Sequence, residues 1–152
     1  MSVQVEVVTD VSDELVAGLN HLLPQLSTTA LPLKTSDVEE LVASPSTTVF
    51  IARDERQIVG TLTLVVFPIP TGRRAWIEDV VVDEAARGRG VAEALTKAAI
   101  EESRRREVRT IDLTTRSSRE AANRLYVRLG FELRETNVYR FFLENVNTGE
   151  SQ

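Results

Sequence analysis

Hydrophobic residues follow two different periods along the first third of the chain. They alternate with polar residues over positions 3–8, as in a half-buried strand, and then recur at helical spacing in a run of leucines, Leu15, Leu19, Leu22 and Leu26. Ser36 and Glu39 have the spacing of a capping box, and Val38 begins a short apolar stripe there. These patterns predict a strand, a helix and a second, shorter helix.

The middle of the chain is typical of β-structure. Residues 49–53 and 58–67 flank the polar turn 54–57, which predicts an antiparallel hairpin. After a breaker segment at 68–72, the run 76–82 is too apolar to be exposed on both faces. We expect this run to be a central strand.

The second half alternates between helical and extended patterns. Helical spacing from Val91 predicts the longest helix, and residues 110–114 alternate as a strand. Ser117 and Glu120 repeat the capping-box spacing before a helix that ends at Gly130.

The remaining segments complete the predicted architecture. Residues 131–133 and 138–143 predict a closing hairpin, and residues 144–152 form a polar tail. We therefore predict one α/β domain over residues 1–143. Its mixed, mostly antiparallel central sheet has about seven strands, flanked by about four helices on both faces.

Composition narrows the classes of function. The 152 residues are 42% hydrophobic, which fits one compact domain with a core. The net charge of -5 repels phosphate backbones, so we expect no nucleic acid partner. The chain has no cysteine and a single histidine, so we expect neither disulfides nor a cysteine nucleophile nor a metal. No signal pattern opens the chain and no apolar run approaches the roughly 20 residues of a membrane span, so we expect a cytoplasmic protein without membrane contact.

The segment Arg87, Gly88, Arg89, Gly90 is the most informative part of the sequence. It joins the apolar strand that ends at Val82 to the longest predicted helix. Helix N-termini carry unpaired N–H groups and partial positive charge, glycines admit a ligand close to the backbone, and arginines add cations. These features predict a site for a pyrophosphate. The alternative is a tight turn whose glycines only relieve crowding and whose arginines are solvated.

A dinucleotide-binding fold is a weaker explanation of the same glycines. Its third glycine would fall at Glu93, where a carboxylate would face a phosphate, although Asp112 lies at a suitable distance downstream.

The spacing Arg87-x-x-Gly90-x-Ala92 after an apolar strand resembles the acetyl-coenzyme A (acetyl-CoA) signature of the GCN5-related N-acetyltransferases, the GNAT family. A second block, Asn123 with Tyr126 three residues later and a Gly-Phe pair beyond, is similar to that family's second signature. The two blocks occur in the order and at the spacing that the family shows.

The resemblance implies a GNAT-like fold with a splayed acetyl-CoA cleft. The strand at 80–82 would separate from its neighbour at a bulge, so that the pantetheine arm pairs with free backbone groups. The backbone N–H of Val80 or Val81 would polarise the thioester carbonyl, and backbone amides of residues 87–92 would hold the pyrophosphate. The implied cofactor-binding residues are Val80, Val81, Val82, Arg87, Gly88, Arg89, Gly90, Val91, Ala92, Asn123 and Tyr126.

The same resemblance assigns two catalytic roles. Tyr126 occupies the position of the general acid that protonates the departing thiolate, and a phenol with a pKa near 10 is protonated at neutral pH. Glu78 is the preferred base, although Asp79 or a water chain remains open for that role. Each has a structural alternative: Tyr126 as a packed aromatic residue and Glu78 as a hydrogen-bonded carboxylate.

The implied activity is transfer of the acetyl group from acetyl-CoA to a primary amine of a small molecule. Two alternatives stay open: a peptide or protein N-acetyltransferase, and a non-catalytic acyl-CoA-binding module. By analogy with families of this kind, a homodimer is one candidate assembly.

Overall fold

A computed structural model describes residues 2–143 of the chain. These residues fall into two compact units, residues 2–113 and residues 114–143. The polar tail predicted at residues 144–152 lies outside the described residues.

The first unit is built on a single sheet. Its strands are β1 (Val3–Val7), β2 (Thr47–Asp54), β3 (Gln57–Ile69), β4 (Gly72–Val82) and β5 (Thr110–Asp112). They lie side by side in chain order, with antiparallel neighbours except for the parallel pair β4 and β5. The prediction of a mixed, mostly antiparallel sheet is confirmed.

The described residues contain four helices, which agrees with the predicted number of about four. They are α1 (Asp13–Leu22), α2 (Thr35–Ala43), α3 (Val91–Arg105) and, in the second unit, α4 (Glu120–Arg128), with short 3-10 turns at Leu23–Gln25 and Glu84–Ala86. No described helix is long and apolar enough to cross a membrane.

Both predicted capping boxes are wrong in detail. Helix α2 begins one residue earlier than the predicted cap, and Asp37 accepts a hydrogen bond from the Lys34 backbone N–H at 2.8 Å. Helix α4 begins at Glu120 without a side-chain cap. Capping-box spacing alone does not fix a helix start, because neighbouring acidic or hydroxyl side chains compete for the same amides.

Helices cover both faces of the sheet in the first unit. A Cβ at Gly18 of α1 would lie 2.8 Å from Ile58, and a Cβ at Gly60 of β3 would lie 2.8 Å from Val91 of α3, so both helices approach the strands closely. On the α1 side, the core cluster is Leu15, Leu19, Leu22, Val38, Ile51, Ile58 and Val81.

Two β predictions differ from the structure. The predicted breaker at 68–72 is part of the β3–β4 hairpin, since β3 continues through Pro68 to Ile69 and β4 starts at Gly72. The predicted closing hairpin at 131–133 and 138–143 is wrong, because residues 131–143 form no helix or strand. The described sheet therefore has five strands, not about seven. Alternating apolar residues allow a strand, but a strand forms only where another backbone pairs with it.

Candidate functional site

Strand β4 has two parts that differ in their neighbours. Residues 74–76 pair with β5 on one side and β3 on the other. Residues 77–82 still pair with β3, but within the described residues no strand pairs with them on the side of β5. Among the described residues, this part of β4 therefore has an open backbone edge on the side of β5.

A β-bulge interrupts β4 inside its open part. Thr63 of β3 pairs with Glu78, whereas Thr61 pairs with Val81, so three steps along β4 match two along β3. Asp79 lies in the bulge with a φ of 50°, a left-handed conformation that is uncommon outside glycine. The bulge re-aims the following residues, and Val81 and Ile77 therefore point to opposite faces of the sheet although both are buried.

Glu78 lies on the sheet face that α1 and α2 cover. Its partner Thr63 shares a face with Thr61 and hence with Val81, which belongs to the core cluster beneath α1. Glu78 itself is exposed, whereas Val81 is 4% exposed. The carboxylate of Glu78 therefore lies beside the bulge, at the exposed edge of the sheet face that α1 and α2 cover.

The backbone conformation of the turn before α3 requires glycine. Gly88 and Gly90 both have a φ of 78°, and no atom of the described residues lies within 4 Å of a Cβ built on either of them. The interpretation that these glycines relieve crowding is therefore wrong. Gly90 is the N-cap of α3 and no side chain caps this helix. The first amides of a 15-residue helix consequently lie beside open space.

The two arginines of this turn have different surroundings. Arg89 places its Nη1 atom 3.6 Å from Oδ2 of Asp54, and its side chain is about half exposed. Arg87 is exposed. In the first turn of α3, Glu93 pairs with Lys97 at 3.1 Å, which offsets its negative charge near the helix N-terminus.

Polar contacts join the segment directly after β4 to α1 and to the 3-10 turn that follows α1, and no sequence pattern predicts these contacts. Nε2 of His21 lies 3.1 Å from Oδ2 of Asp83, directly after β4. Gln25 accepts a hydrogen bond from the Glu84 N–H at 2.9 Å, and Asp83 also accepts one from Ala85 N–H at 3.2 Å. Partial burial disfavours the charged form of Asp83, but the hydrogen bonds from Ala85 and His21 outweigh it and lower the pKa of this carboxyl.

The second unit carries the other two predicted site residues on α4. Asn123 and Tyr126 are three residues apart and share one helix face. The Tyr126 ring packs edge-on against Phe131, with centroids 5.6 Å apart. Burial raises the pKa of the Tyr126 phenol above its usual value of 10.0, and Arg119 opposes this only in part. Tyr126 is therefore protonated at neutral pH and able to donate.

Asn123 has a local role that the sequence did not suggest. Its Nδ2 atom donates to the backbone carbonyls of Arg116 at 3.0 Å and Arg119 at 2.8 Å. These bonds fix the loop that enters α4, and they use the two N–H groups of the amide. A contact with cofactor would have to use the carbonyl oxygen.

The predicted site residues thus form two groups. In the first unit, Glu78, residues 80–82 and residues 87–92 follow one another along the open edge of β4, the turn and the start of α3. In the second unit, Asn123 and Tyr126 lie together on α4. No cluster of three or more metal-ligating side chains occurs among residues 2–143.

The family model of the acetyltransferase (GNAT) family matches residues 17–131, which include both groups. The chain belongs to this family. GNAT proteins are acetyltransferases that use acetyl-CoA as co-substrate, and the chain is accordingly an enzyme of the N-acetyltransferase class. The open space at Gly88 and Gly90, beside uncapped helix amides, fits the pyrophosphate of this co-substrate.

Solved structures agree with the GNAT fold. A transcriptional regulator from Bacillus halodurans C-125 is 27% identical, with a TM-score of 0.78 over 93% of this chain and 100% of that chain. An aminoglycoside acetyltransferase from an uncultured soil metagenomic sample is 18% identical, with a TM-score of 0.81 over 93% and 95% of the two chains. Glucosamine-6-phosphate N-acetyltransferase from Arabidopsis thaliana is 16% identical, with a TM-score of 0.79 over 93% and 99%. The last two show a shared fold only, and the curated proteins contain no match to this chain.

Proposed function

We propose that this GNAT enzyme transfers the acetyl group of acetyl-CoA to a primary amine of a small molecule. One observation carries the proposal: the open edge of β4, with its bulge, is followed by the short 3-10 turn Glu84–Ala86 and then by a glycine turn beside helix amides that no described side chain caps. An extended pantetheine arm can pair with such an edge as an added strand does, while the pyrophosphate meets the helix N-terminus. Residues 80–82 and 87–92 are the proposed cofactor contacts.

The proposed reaction is direct attack by the amine. The amine nitrogen forms a bond to the thioester carbonyl carbon, and negative charge develops on the carbonyl oxygen. The backbone N–H of Val80 or Val81 stabilises that charge, as the donors of an oxyanion hole do. The carbon–sulfur bond then breaks, and the products are the acetylated amine and free coenzyme A.

Tyr126 is the proposed general acid for the leaving thiolate. Its raised pKa keeps the phenol protonated at neutral pH, and its edge-on contact with Phe131 restricts the ring. The hydroxyl proton passes to the thiolate sulfur, and the phenolate is reprotonated from solvent. Asn123 is proposed to support the same cofactor through its carbonyl oxygen while its N–H groups hold the helix entry.

Glu78 is the proposed base. An amine is largely protonated at neutral pH, so it must lose a proton before or during attack. Glu78 is exposed beside the bulge, where a carboxylate can accept that proton directly or through water. Asp79 is the competing candidate, because it lies in the bulge itself. The net charge of -5 favours the approach of a cationic amine to either one.

The preference for a small acceptor rests on the motif Ile77, Glu78, Asp79, Val80, which resembles that of the glucosamine-phosphate acetyltransferases. A peptide acceptor is the alternative.

Calorimetric titration with acetyl-CoA, with NAD as the control ligand, tests the cofactor. We expect saturable binding of acetyl-CoA and none of NAD. Absence of acetyl-CoA binding to the folded protein would overturn the proposal.

Thiol release then tests the acceptor. The same enzyme preparation is given small amines and, separately, peptides with a free N-terminus or lysine. Release of coenzyme A with amines alone supports a small acceptor, and release with peptides alone contradicts it. Binding of acetyl-CoA without release in either panel would favour a non-catalytic binding module.

A further inference from the structure

A small cavity lies at the end of the first unit where β4 and β5 begin. Its volume is about 150 Å³, well below the roughly 300–1,000 Å³ of pockets that enclose drug-sized ligands. We call it the hairpin cavity, and the residues that line it are Thr71, Gly72, Arg73, Arg74, Arg109 and Thr110. None of them is a proposed contact of acetyl-CoA. A cavity of this size suits a small ion or one polar group of a larger molecule.

The side chain of Arg109 is held across the β3–β4 hairpin. Its Nη1 atom donates to the carbonyl oxygen of Thr71 at 2.7 Å, and its backbone N–H donates to the carbonyl oxygen of Arg73 at 2.9 Å. A Cβ at Gly72 would lie 2.5 Å from Cδ of Arg109, so the arginine side chain passes directly over this glycine. The absence of a side chain at Gly72 therefore allows Arg109 to take this position.

Two further arginines at this end of the unit are also anchored by backbone carbonyl groups. Nη1 of Arg73 donates to the carbonyl oxygen of Arg106 at 2.7 Å, and Nη2 of Arg106 donates to that of Pro45 at 3.0 Å. A carbonyl oxygen engages one N–H group of a guanidinium but does not neutralise its charge. These arginines are consequently fixed in position while their positive charge is retained.

Arg74 differs from these arginines because it has no partner within the described chain. It lies in β4 between Phe67 of β3 and Thr110 of β5, and its side chain is partly buried. No hydrogen bond or ion pair joins its guanidinium to another of the residues 2–143. A partly buried cation of this kind is stabilised when a ligand supplies acceptor atoms.

The charge around the hairpin cavity is positive, although the whole chain has a net charge of -5. Residues 71–74 and 104–110 contain six arginines and one acidic residue, the exposed Glu107. Within the described part of the chain, Arg104 and Arg105 have carboxylate partners, whereas the other four arginines have none. Like charges that are held close together repel one another, so a bound anion would be favoured here.

We propose that the hairpin cavity binds a phosphate group, with Arg74 and Arg109 as its main donors. Successive strand residues point to opposite faces, so Arg73 and Arg74 border the cavity from different sides. A phosphate group has acceptor oxygens in several directions and carries about two negative charges at neutral pH, and arginine is well suited to bind it. The proposal is independent of the proposed acetyl transfer, because it uses none of the same residues.

Amide chemical shifts recorded during a titration with inorganic phosphate test the site on the full chain. We expect saturable shifts at residues 71–74 and 109–110, and none when sodium chloride is added to the same ionic strength. Phosphate can also bind at the glycine turn before α3, so a Gly90→Glu protein is titrated in parallel and should keep the shifts at 71–74. Shifts confined to residues 87–92, or no saturable shift at the hairpin cavity, would overturn the proposal.

Substitution of Arg74 tests the assignment of the donor. We expect Arg74→Gln to weaken phosphate binding by about 10-fold or more, because it removes a charged donor. The variant should unfold at the wild-type temperature, since the guanidinium has no partner within residues 2–143. Arg104→Gln is the matched control: it removes the same charge from an arginine of α3 that is 65% exposed outside the cavity, and it should keep wild-type affinity. Unchanged affinity of Arg74→Gln, or equal losses in both variants, contradicts the proposal.

A second variant keeps the test decisive if Arg74→Gln does not fold. Arg109→Gln should also weaken phosphate binding by about 10-fold, and full affinity in this variant would remove Arg109 from the site. Titration with glycerol 3-phosphate then distinguishes two sources of the phosphate group. Tighter binding of the ester supports a phosphorylated small molecule as ligand, and tighter binding of inorganic phosphate supports the free ion. Binding of neither overturns the proposal.

Discussion

Residues 76–92 of the first unit and residues 116–131 of the second unit carry proposed functional groups of different kinds. In the first region the groups are mainly backbone amides, held by the sheet, the bulge at Asp79 and the left-handed glycines. In the second region they are side chains, the phenol of Tyr126 and the amide of Asn123, on a helix of nine residues. A substitution leaves a backbone amide in place unless it changes the chain conformation. In contrast, a substitution that removes a single side-chain atom can remove the functional group itself. The two regions should therefore respond differently to mutation.

The largest effect is expected from removing one oxygen atom in the second region. We predict that Tyr126→Phe lowers kcat by about 10²- to 10⁴-fold, the usual contribution of general acid catalysis. Binding of acetyl-CoA and the contact with Phe131 should be retained, because the ring is unchanged. Tyr139→Phe, which alters an exposed tyrosine, is the control and should keep kcat near wild type. Unchanged turnover of Tyr126→Phe, measured by thiol release, would remove the acid role.

A binding site made of backbone amides should lose affinity for its ligand when the backbone conformation is changed. We predict that Gly90→Glu weakens acetyl-CoA binding by about 100-fold, since a left-handed non-glycine residue costs roughly 1–2 kcal/mol and a carboxylate repels the pyrophosphate. Gly130→Glu is the matched control, because Gly130 also has a positive φ and open space around a Cβ. Calorimetry should show near-normal affinity for that control. Equal losses in both variants would indicate a general effect of charge or folding.

Glu78 is the exception in the first region, since its proposed role depends on a side chain. We predict that Glu78→Gln lowers kcat by about 10²-fold, the lower end of the range for general base catalysis, with acetyl-CoA affinity unchanged. Asp79→Asn is the comparison that decides between the two carboxylates, and asparagine tolerates the left-handed backbone at this position. If pH profiles of kcat show the larger loss for Asp79→Asn, the base assignment moves to that residue.

Substitution of Asn123 tests whether the second region also depends on the backbone conformation of the loop before α4. Asn123→Ala removes two hydrogen bonds to the carbonyls of Arg116 and Arg119, and we expect it to lower the free energy of unfolding by about 1–3 kcal/mol. Chemical denaturation measures this loss. An amount below the error of the measurement would show that the loop before α4 is held by other contacts.

The smallest effect is expected from side chains that only stabilise the segment between β4 and the glycine turn. Asp83→Asn should lower the free energy of unfolding by about 1 kcal/mol at pH 7, since it weakens hydrogen bonds from His21 and Ala85. The folded-state pKa of Asp83 is lowered from 3.8, so its contribution is complete above that value and is lost as pH falls through the folded-state pKa. The difference between wild type and variant should accordingly shrink below about pH 4. A difference that grows on acidification would contradict this assignment.

Local motifs were predicted well because their physics is local. The glycine turn between β4 and the longest helix, the helix that begins at Val91 and the shared face of Asn123 and Tyr126 all follow from short-range spacing. The contacts of His21 with Asp83 could not be predicted in the same way, because 62 positions separate them and nothing in either segment identifies the other. The bulge at Asp79 was expected from family resemblance, yet its position depends on register with β3.

The order of the helices, the strands through β5, the glycine turn and the family signatures could be predicted from the sequence, because hydrophobic periodicity and glycine content act over a few neighbouring residues. Three features follow from the folded molecule alone: which strands pair, where β4 loses its neighbour, and that residues 138–143 form no strand within the described chain. Strand pairing needs a second backbone at the right distance and register. That requirement is a property of the folded molecule, and the alternating residues of a single segment cannot satisfy it.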